Sequence, residues 1–297
     1  LFVVPAGESS KSLDQVGILH SKCIKSNLDR NSFIIALGGG VIGDLAGYVA
    51  ASFLRGIPFV QVPTSLLAMV DSAVGGKTGV NLKEGKNLVG AFHQPSLVLS
   101  DLNTLNTLPI REIRAGMAEV VKYGIIYDAN FFDKIEKQCI GTDFLTSNEI
   151  LAYNISRCCE IKAEVVAKDE RESGLRAILN FGHTLGHAIE NVTGYTNSFI
   201  HGEAISIGMV YAAKLSVRCN GFIDHDAQRI EKLLNNIGLP TNQNGLVWND
   251  LKEAMVVDKK TVSGIPRFVL VSNIGKVTIG HQIEERILKE VWDSLNE

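Results

Sequence analysis

Cysteine is scarce here, and its spacing suits no structural role. The 297-residue chain has five: Cys23, Cys139, Cys158, Cys159 and Cys219, an odd number that includes one adjacent pair and no C-x-x-C. That pattern excludes a disulfide framework and a thiolate zinc site, and it points to a reducing, cytoplasmic compartment. Charge of one sign is also lacking. Lys+Arg 29 against Asp+Glu 32 leaves a net charge of −3, which gives no basic face for nucleic acid or an anionic membrane. An anionic ligand must therefore be held by local clusters. Long apolar runs are missing too: the least charged stretch, Gly56 to Val70, is broken by prolines and polar residues and falls short of the ~20 apolar residues of a membrane span. With 45% hydrophobic and 21% charged residues, disorder and collagen-like structure are excluded as well.

What is present falls into two textures. Up to about Leu108, strand and helix signals alternate: apolar Leu1–Val4, a helical stretch near Ser12–Lys25, a strand Phe33–Leu37, a helix from Asp44 to Phe53, a strand Phe59–Val62, a short helical run after Thr64, a glycine-rich turn Gly75–Gly79 and a strand Leu97–Leu99. That rhythm predicts a parallel α/β sheet. After Pro109, apolar residues recur at spacings of three and four as far as Ala254, which predicts at least five helices. A short strand pair (Phe268–Val271, Val277–Ile279) and a final helix follow. The expected organisation is an α/β domain over 1–108 and a mainly helical domain over 109–297. Because Leu-Phe-Val-Val enters as a strand without a lead-in, the chain is expected to begin partway into a domain.

Phe33–Leu37 runs into Gly38-x-Gly40-x-x-Gly43-Asp44, a G-x-G-x-x-G between a strand and a helix. Glycines there let backbone approach a pyrophosphate, whose charge free N–H groups at the helix N-terminus stabilise; a plain tight turn is the alternative. The next strand ends in Pro63-Thr64-Ser65, so the usual acid for the ribose hydroxyls is missing. Its place falls to Glu8 and Lys11, on the loop after the first apolar segment, or to residues preceding Leu1.

Asp71, Lys77, Lys83, Lys86 and Asn87 lie within seventeen residues around the second glycine-rich turn. Lysine supplies point charges and asparagine a directional amide, together able to bind a phosphate and orient hydroxyls. For Lys83 and Glu84 a solvated hairpin is the preferred reading. Gly75-Gly76-Lys77-Thr78 resembles the end of a P-loop, but Asp71 stands where the first glycine should be.

The helix Gly116–Lys122 puts Glu119 and Lys122 three apart on one face. His183 and His187, at i and i+4, also share a face, and His201 follows in His201-Gly202-Glu203, so three of seven histidines fall within nineteen residues. Two histidines and a carboxylate with an open position suit a catalytic zinc, although packed or surface histidines give the same spacing. Spacing alone selects His183 and His187 as the ligands. In the charged run before them, Glu170 and Arg171 read as a solvated helix end, whereas Arg176, among apolar neighbours, requires an anion.

Gly-Gly-Gly-Val-Ile-Gly-Asp-Leu-Ala-Gly, Val-Gly-Gly-Lys-Thr-Gly-Val-Asn, Gly-Lys-Asn-Leu-Val-Gly-Ala-Phe, Gly-Met-Ala-Glu-Val-Val-Lys-Tyr-Gly, Leu-Asn-Phe-Gly-His-Thr-Leu-Gly-His-Ala-Ile-Glu and His-Gly-Glu-Ala occur in this order along nearly the whole chain. Together they resemble the 3-dehydroquinate synthases of the shikimate pathway. The resemblance implies a Rossmann-like NAD-binding domain followed by a mainly α-helical metal-binding domain. It also implies a homodimer that turns 3-deoxy-arabino-heptulosonate 7-phosphate into 3-dehydroquinate and phosphate. In that family NAD is used and regenerated within a turnover: an alcohol is oxidised, phosphate leaves by β-elimination, the hydride returns, and the ring opens and closes as an aldol. Positioning and charge stabilisation then outweigh a strong base.

Carried over by motif, the resemblance implies Glu119, His183 and His201 as ligands of zinc or cobalt, against the spacing argument. His187 becomes, with Glu172, a proton acceptor. Asp71, Lys77, Asn87, Lys122, Lys162, Arg176 and Asn180 match substrate contacts, with Lys77, Asn180 and Lys259 or Lys260 near the phosphate. Gly39, Gly40, Val41, Asp44, Thr64, Ser65, Lys86, Thr104, Leu105 and Thr107 match NAD contacts. Arg55 matches an arginine that reaches the neighbouring subunit's phosphate site. Rival readings are another sugar-phosphate cyclase, of inosose or valiolone type, a metal-dependent polyol dehydrogenase, and a catalytically dead scaffold. Arg176 and Asn180 favour dehydroquinate formation over the first, and intact Lys122, Lys162, His183 and His201 argue against the last.

Overall fold

The structure, a computed structural model, describes residues 1–140, 143–194, 198–242, 245–258 and 266–296. Lys259 and Lys260 lie outside the described residues. Packing divides the chain into two units, Leu1–Pro109 with Ile155–Arg171, and Ile110–Asn154 with Glu172–Glu297.

The first unit opens with α1 (Leu13–Lys25), capped by Ser12, whose side chain accepts the Gln15 N–H. β1 (Ile34–Gly38) feeds α2 (Gly40–Ser52) and then β2 (Phe59–Pro63). A π-helical turn Ala68–Ser72 leads into the antiparallel hairpin β3 (Lys77–Leu82) and β4 (Gly85–Phe92), before the short β5 (Leu97–Val98). β1, β2 and β5 form a parallel sheet in that order, with Ile35 opposite Val60 and Val60 opposite Leu97. Period-two alternation sends Ala36 of β1 and Phe59 of β2 inward. There Phe59 meets Val16 and Leu19 of α1 and Leu45 and Val49 of α2 in one core. Each such side chain contributes about 1.5–3 kcal/mol on burial.

Three expectations are corrected. Leu1–Val4 forms no strand, and Leu1, Phe2 and Val3 are exposed; a strand needs a hydrogen-bonded neighbour, and apolar composition cannot supply one. α2 begins at Gly40, not Asp44, so the glycine-rich segment is its first turn. Gly43 makes this possible, because a Cβ there would fall 2.7 Å from Gln61 Oε1 of β2. The glycine-rich turn Gly75–Gly79 is instead largely strand, since β3 starts at Lys77.

In the second unit α3 (Ile110–Ile126) is followed by α4 (Ala129–Gln138), whose cap Asp128 accepts the Phe131 N–H. α5 (Asn148–Lys168) belongs to this unit up to Asn154 and to the first from Ile155 on. A 3-10 turn Leu175–Asn180 leads to α6 (His183–Val192), then α7 (His201–Cys219), α8 (Asp224–Ile237) and α9 (Trp248–Asp258). The antiparallel pair β6 (Phe268–Asn273) and β7 (Lys276–His281) and the helix α10 (Glu285–Asp293) complete it. The α3 and α7 helices are buried along most of their length. Among the described residues no helix is long and apolar enough to cross a membrane.

Candidate metal centre and cofactor turn

Three helices of the second unit bring one donor each to a single point. Glu119 lies midway along α3, His183 is the first residue of α6, and His201 is the first residue of α7. Their ligand atoms all lie within 4.8 Å of one another. The Glu119 Oε1 atom is 3.7 Å from His183 Nε2 and 3.8 Å from His201 Nε2. Donors of a tetrahedral zinc at ~2.0–2.1 Å sit roughly 3.4 Å apart, so the spacing suits one small divalent ion.

Hydrogen bonding prepares both imidazoles for that task. His183 Nδ1 is 3.0 Å from the Phe181 carbonyl oxygen, and His201 Nδ1 is 3.3 Å from Glu190 Oε2. An acceptor at Nδ1 keeps the proton there and leaves the Nε2 lone pair facing Glu119. Burial, followed by the charges of Lys122, His187 and His201, holds the His183 imidazole well below its ordinary pKa. It is therefore neutral, the form that binds metal. Glu119 is fully buried and ion-paired with the equally buried Lys122. Its Oε1 has no hydrogen-bond partner among the described residues. An ionised oxygen left so costs free energy that a cation at this point would recover. The donor set fits a metal.

His187 is not one of the three donors. Its ring centroid lies 5.2 Å from that of His183 and 6.4 Å from that of His201. The spacing argument, which paired His183 with His187, is corrected here. The i, i+4 rule finds side chains on one helix face, whereas the third donor comes from the start of another helix. Close by in sequence, Asn180 Nδ2 donates to Glu172 Oε1 at 2.8 Å, and Glu172 has a left-handed φ of 59°. Arg176 is 2% exposed.

The start of α7 is fixed from outside. Glu203 Oε2 accepts the Ile200 N–H at 3.1 Å, and Arg111 in the first turn of α3 holds both Glu203 oxygens, at 2.6 and 2.7 Å. Sequence reading missed Arg111, Glu203 and Glu190 as contributors. Glu190 carried one signal, its i+7 spacing from His183 on the same stripe.

In the first unit the glycine-rich turn places Gly39 as the N-cap of α2, with Gly40 and Val41 in its first turn and Asp44 one turn on. The Thr64 N–H donates to Gly38 O at 3.0 Å, and Ser65 Oγ accepts the Ala68 N–H at 3.3 Å. Lys11 is 5% exposed and donates to Asp44 Oδ2 at 2.5 Å; burial raises the Asp44 pKa, and Lys11 opposes that rise. Glu8 Oε1 accepts from Asn81 Nδ2 at 2.8 Å, and Asn81 Oδ1 accepts the Asn87 N–H at 3.0 Å. Glu8, Lys11, Asp44 and Asn87 thus form a connected polar group through Asn81. Asp71, in the π-helical turn, binds Lys162 Nζ through Oδ1 at 2.7 Å and also through its carbonyl. Lys77 and Lys86 stand on β3 and β4, and Thr104, Leu105 and Thr107 on a 3-10 turn, Leu102–Thr107. Arg55 is exposed on a turn where it and Leu54 both have positive φ, 70° and 49°.

An α/β unit with a glycine-rich strand-to-helix turn, and a helical unit with a carboxylate and two imidazoles converging on one point, make up a fold that solved sugar-phosphate cyclases share. The family models for the 3-dehydroquinate synthase N-terminal and C-terminal domains match residues 1–115 and 116–261, and the chain belongs to the 3-dehydroquinate synthase family. A 3-dehydroquinate synthase of Rippkaea orientalis is 50% identical over 97% of this chain and 79% of its own length. Among solved structures, 2-epi-5-epi-valiolone synthase from Streptomyces hygroscopicus, with NAD+ and Zn2+ bound, superposes with a TM-score of 0.91 at 27% identity, covering 99% of this chain and 82% of that one. A 2-deoxy-scyllo-inosose synthase complexed with carbaglucose-6-phosphate, NAD+ and Co2+ gives 0.88 at 33%, covering 97% and 81%.

Proposed function

We propose that this chain is a phosphate-eliminating lyase that converts 3-deoxy-D-arabino-heptulosonate 7-phosphate to 3-dehydroquinate and phosphate, with NAD and a divalent metal. The observation that carries the reading is the convergence of Glu119, His183 and His201 in a chain 50% identical to a 3-dehydroquinate synthase over 97% of its length. Bound NAD supplies a transient hydride acceptor and donor, and the ion supplies a Lewis acid.

The remaining work falls to the chain's own groups. Gly39, Gly40, Val41 and Asp44 at the start of α2, with Glu8, Lys11, Thr64, Ser65, Lys77, Lys86, Thr104, Leu105 and Thr107, hold the dinucleotide; the free N–H groups of the first turn favour its phosphates. Zinc is the preferred ion at Glu119, His183 and His201, with cobalt as the alternative. Lys122, held by Glu119, presents a buried positive charge that stabilises an oxyanion. Arg176 and Asn180 bind anionic groups of the substrate, Asp71 and Lys162 orient hydroxyls, and Lys77 and Asn87 complete the contacts. Glu172, oriented by Asn180, and His187 accept protons. Lys259 or Lys260 is assigned to the phosphate by motif alone. Arg55 and the family pattern support a homodimer, and free cysteines at all five positions suit a cytoplasmic enzyme.

The test is phosphate release from the heptulosonate phosphate with catalytic NAD+, with and without chelator. Metal-dependent release without net NADH is expected. Stoichiometric NADH would make it a polyol dehydrogenase. Release from glucose 6-phosphate or sedoheptulose 7-phosphate instead would make it an inosose- or valiolone-forming cyclase.

A further inference from the structure

The two imidazoles of the donor set are oriented by different devices. His183 leans on a backbone carbonyl, that of Phe181, which no side-chain substitution removes. His201 leans on a side chain, the carboxylate of Glu190. Glu190 is 7% exposed, and a carboxylate so buried is costly unless polar neighbours compensate it. It lies seven residues after His183 on the same stripe of α6, two turns along, and so reaches the first residue of α7.

We propose that Glu190 is the positioning residue for His201, an outer carboxylate that fixes the ring's orientation and keeps its Nε2 lone pair directed at the point shared with Glu119 Oε1 and His183 Nε2. The inference rests on reading those three residues as a metal site. Glu190 is not one of the three converging donors. Its action is through the imidazole, by holding the Nδ1 proton and by making the ring a better donor. His201 is the ligand that needs this help most, because its side chain is 27% exposed against 11% for His183 and packing restrains it less.

The experiment measures metal binding without turnover. Wild-type, E190Q and E190A proteins are stripped with chelator and titrated with Zn2+ against a competing chelator. Each is then loaded with Co2+ for its visible d–d spectrum, with thermal unfolding of the metal-free proteins as the control for fold. E190A should bind Zn2+ about 10–100-fold more weakly, with a shifted Co2+ spectrum and unchanged metal-free unfolding; E190Q, which keeps an acceptor but loses the charge, should fall between. Wild-type-like affinity and spectrum in E190A overturn the role of Glu190 while leaving the metal site standing. A wild-type protein that binds no Zn2+ overturns the metal site itself, and the inference with it. Should E190A fail to fold, E190Q decides: a weakened affinity supports the role, and an affinity equal to wild type overturns it.

Discussion

Gly202 lies against the carbonyl of Ala115, so close that a Cβ on Gly202 would overlap that oxygen. This contact sets the approach of α3 to α7 one residue past His201 and one turn before Glu119, and so fixes the separation of two metal donors. Gly202→Ala would force backbone against backbone, which no rotamer change relieves. The substitution should cost ~1–3 kcal/mol and move His201 away from Glu119. Thermal unfolding and zinc content by elemental analysis check this; a variant matching wild type in both would show that the helices have room to spare.

The ion pair of Arg111 with Glu203 acts on the same helix start. It is bidentate but partly exposed, 46% at Arg111 and 15% at Glu203, so solvent screens it and its worth is about 1 kcal/mol. Arg111→Ala and Glu203→Ala should each lower stability by roughly that amount, with Glu203→Ala the costlier because it also strips the Ile200 N–H of its acceptor. A double-mutant cycle in urea measures the coupling; a cycle that closes to zero removes the pair from the account of how α7 begins.

His201 and His187 should separate cleanly on substitution. His201→Ala deletes one of three converging donors, and the purified protein should lose its metal by elemental analysis. His187→Ala should retain the metal and turn over more slowly, since His187 stands beside the donors without being one. Full metal stoichiometry in His201→Ala would refute the ligand set.

The outcome for His187 shows what a linear pattern can carry. The α/β rhythm and the helical second half were legible because hydrophobic periods of two and 3.6 report burial directly. The glycine-rich turn was legible because its residue types are dictated by close approach. The position where α2 begins was not, since Gly43 allows the helix to run through residues that read as a turn. Leu1–Val4 was read as a strand from composition, and composition says nothing about a pairing partner. The donor set was legible in the family motifs, which mark Glu119, His183 and His201 alike, and not in spacing, because the convergence of the three is a property of helices packed together. Glu190 and Arg111 act on other side chains rather than on a ligand, and beyond the i+7 spacing of Glu190 from His183 nothing in the sequence marks them.

The five thiols should react in an order set by burial. Cys219 is exposed and Cys159 half-buried, whereas Cys23, Cys139 and Cys158 are buried. Burial pushes the Cys139 thiol up to about 12, and since the thiolate is the nucleophile, that group is inert at neutral pH. Native protein treated with a disulfide reagent should show one fast thiol, lost in Cys219→Ser, and a slower one at Cys159. The other three should react only on unfolding. Rapid modification of Cys139 in folded protein, read by mass spectrometry of the peptides, would contradict the packing of α4.

One face of the parallel sheet is exposed although its residues are apolar. Ile35 and Leu37 of β1 with Phe33 just before it, and Leu97 of β5 with Leu99 just after it, are each more than half exposed, while Ala36 and Phe59 on the opposite face are buried. The register that pairs Ile35 with Val60, and Val60 with Leu97, sets these side chains on one continuous surface. Parallel sheets are stable with both faces covered, and a contiguous apolar patch of this kind binds hydrophobic probes and promotes association. This 297-residue chain should therefore bind an anilinonaphthalene dye while folded and self-associate as its concentration rises. The double substitution Ile35→Ser with Leu37→Ser should reduce both effects while leaving the helical circular dichroism intact, because neither side chain reaches the core. Dye fluorescence and sedimentation velocity make the measurement, and a wild-type chain that binds no dye and stays monodisperse would mean that this face is covered in solution.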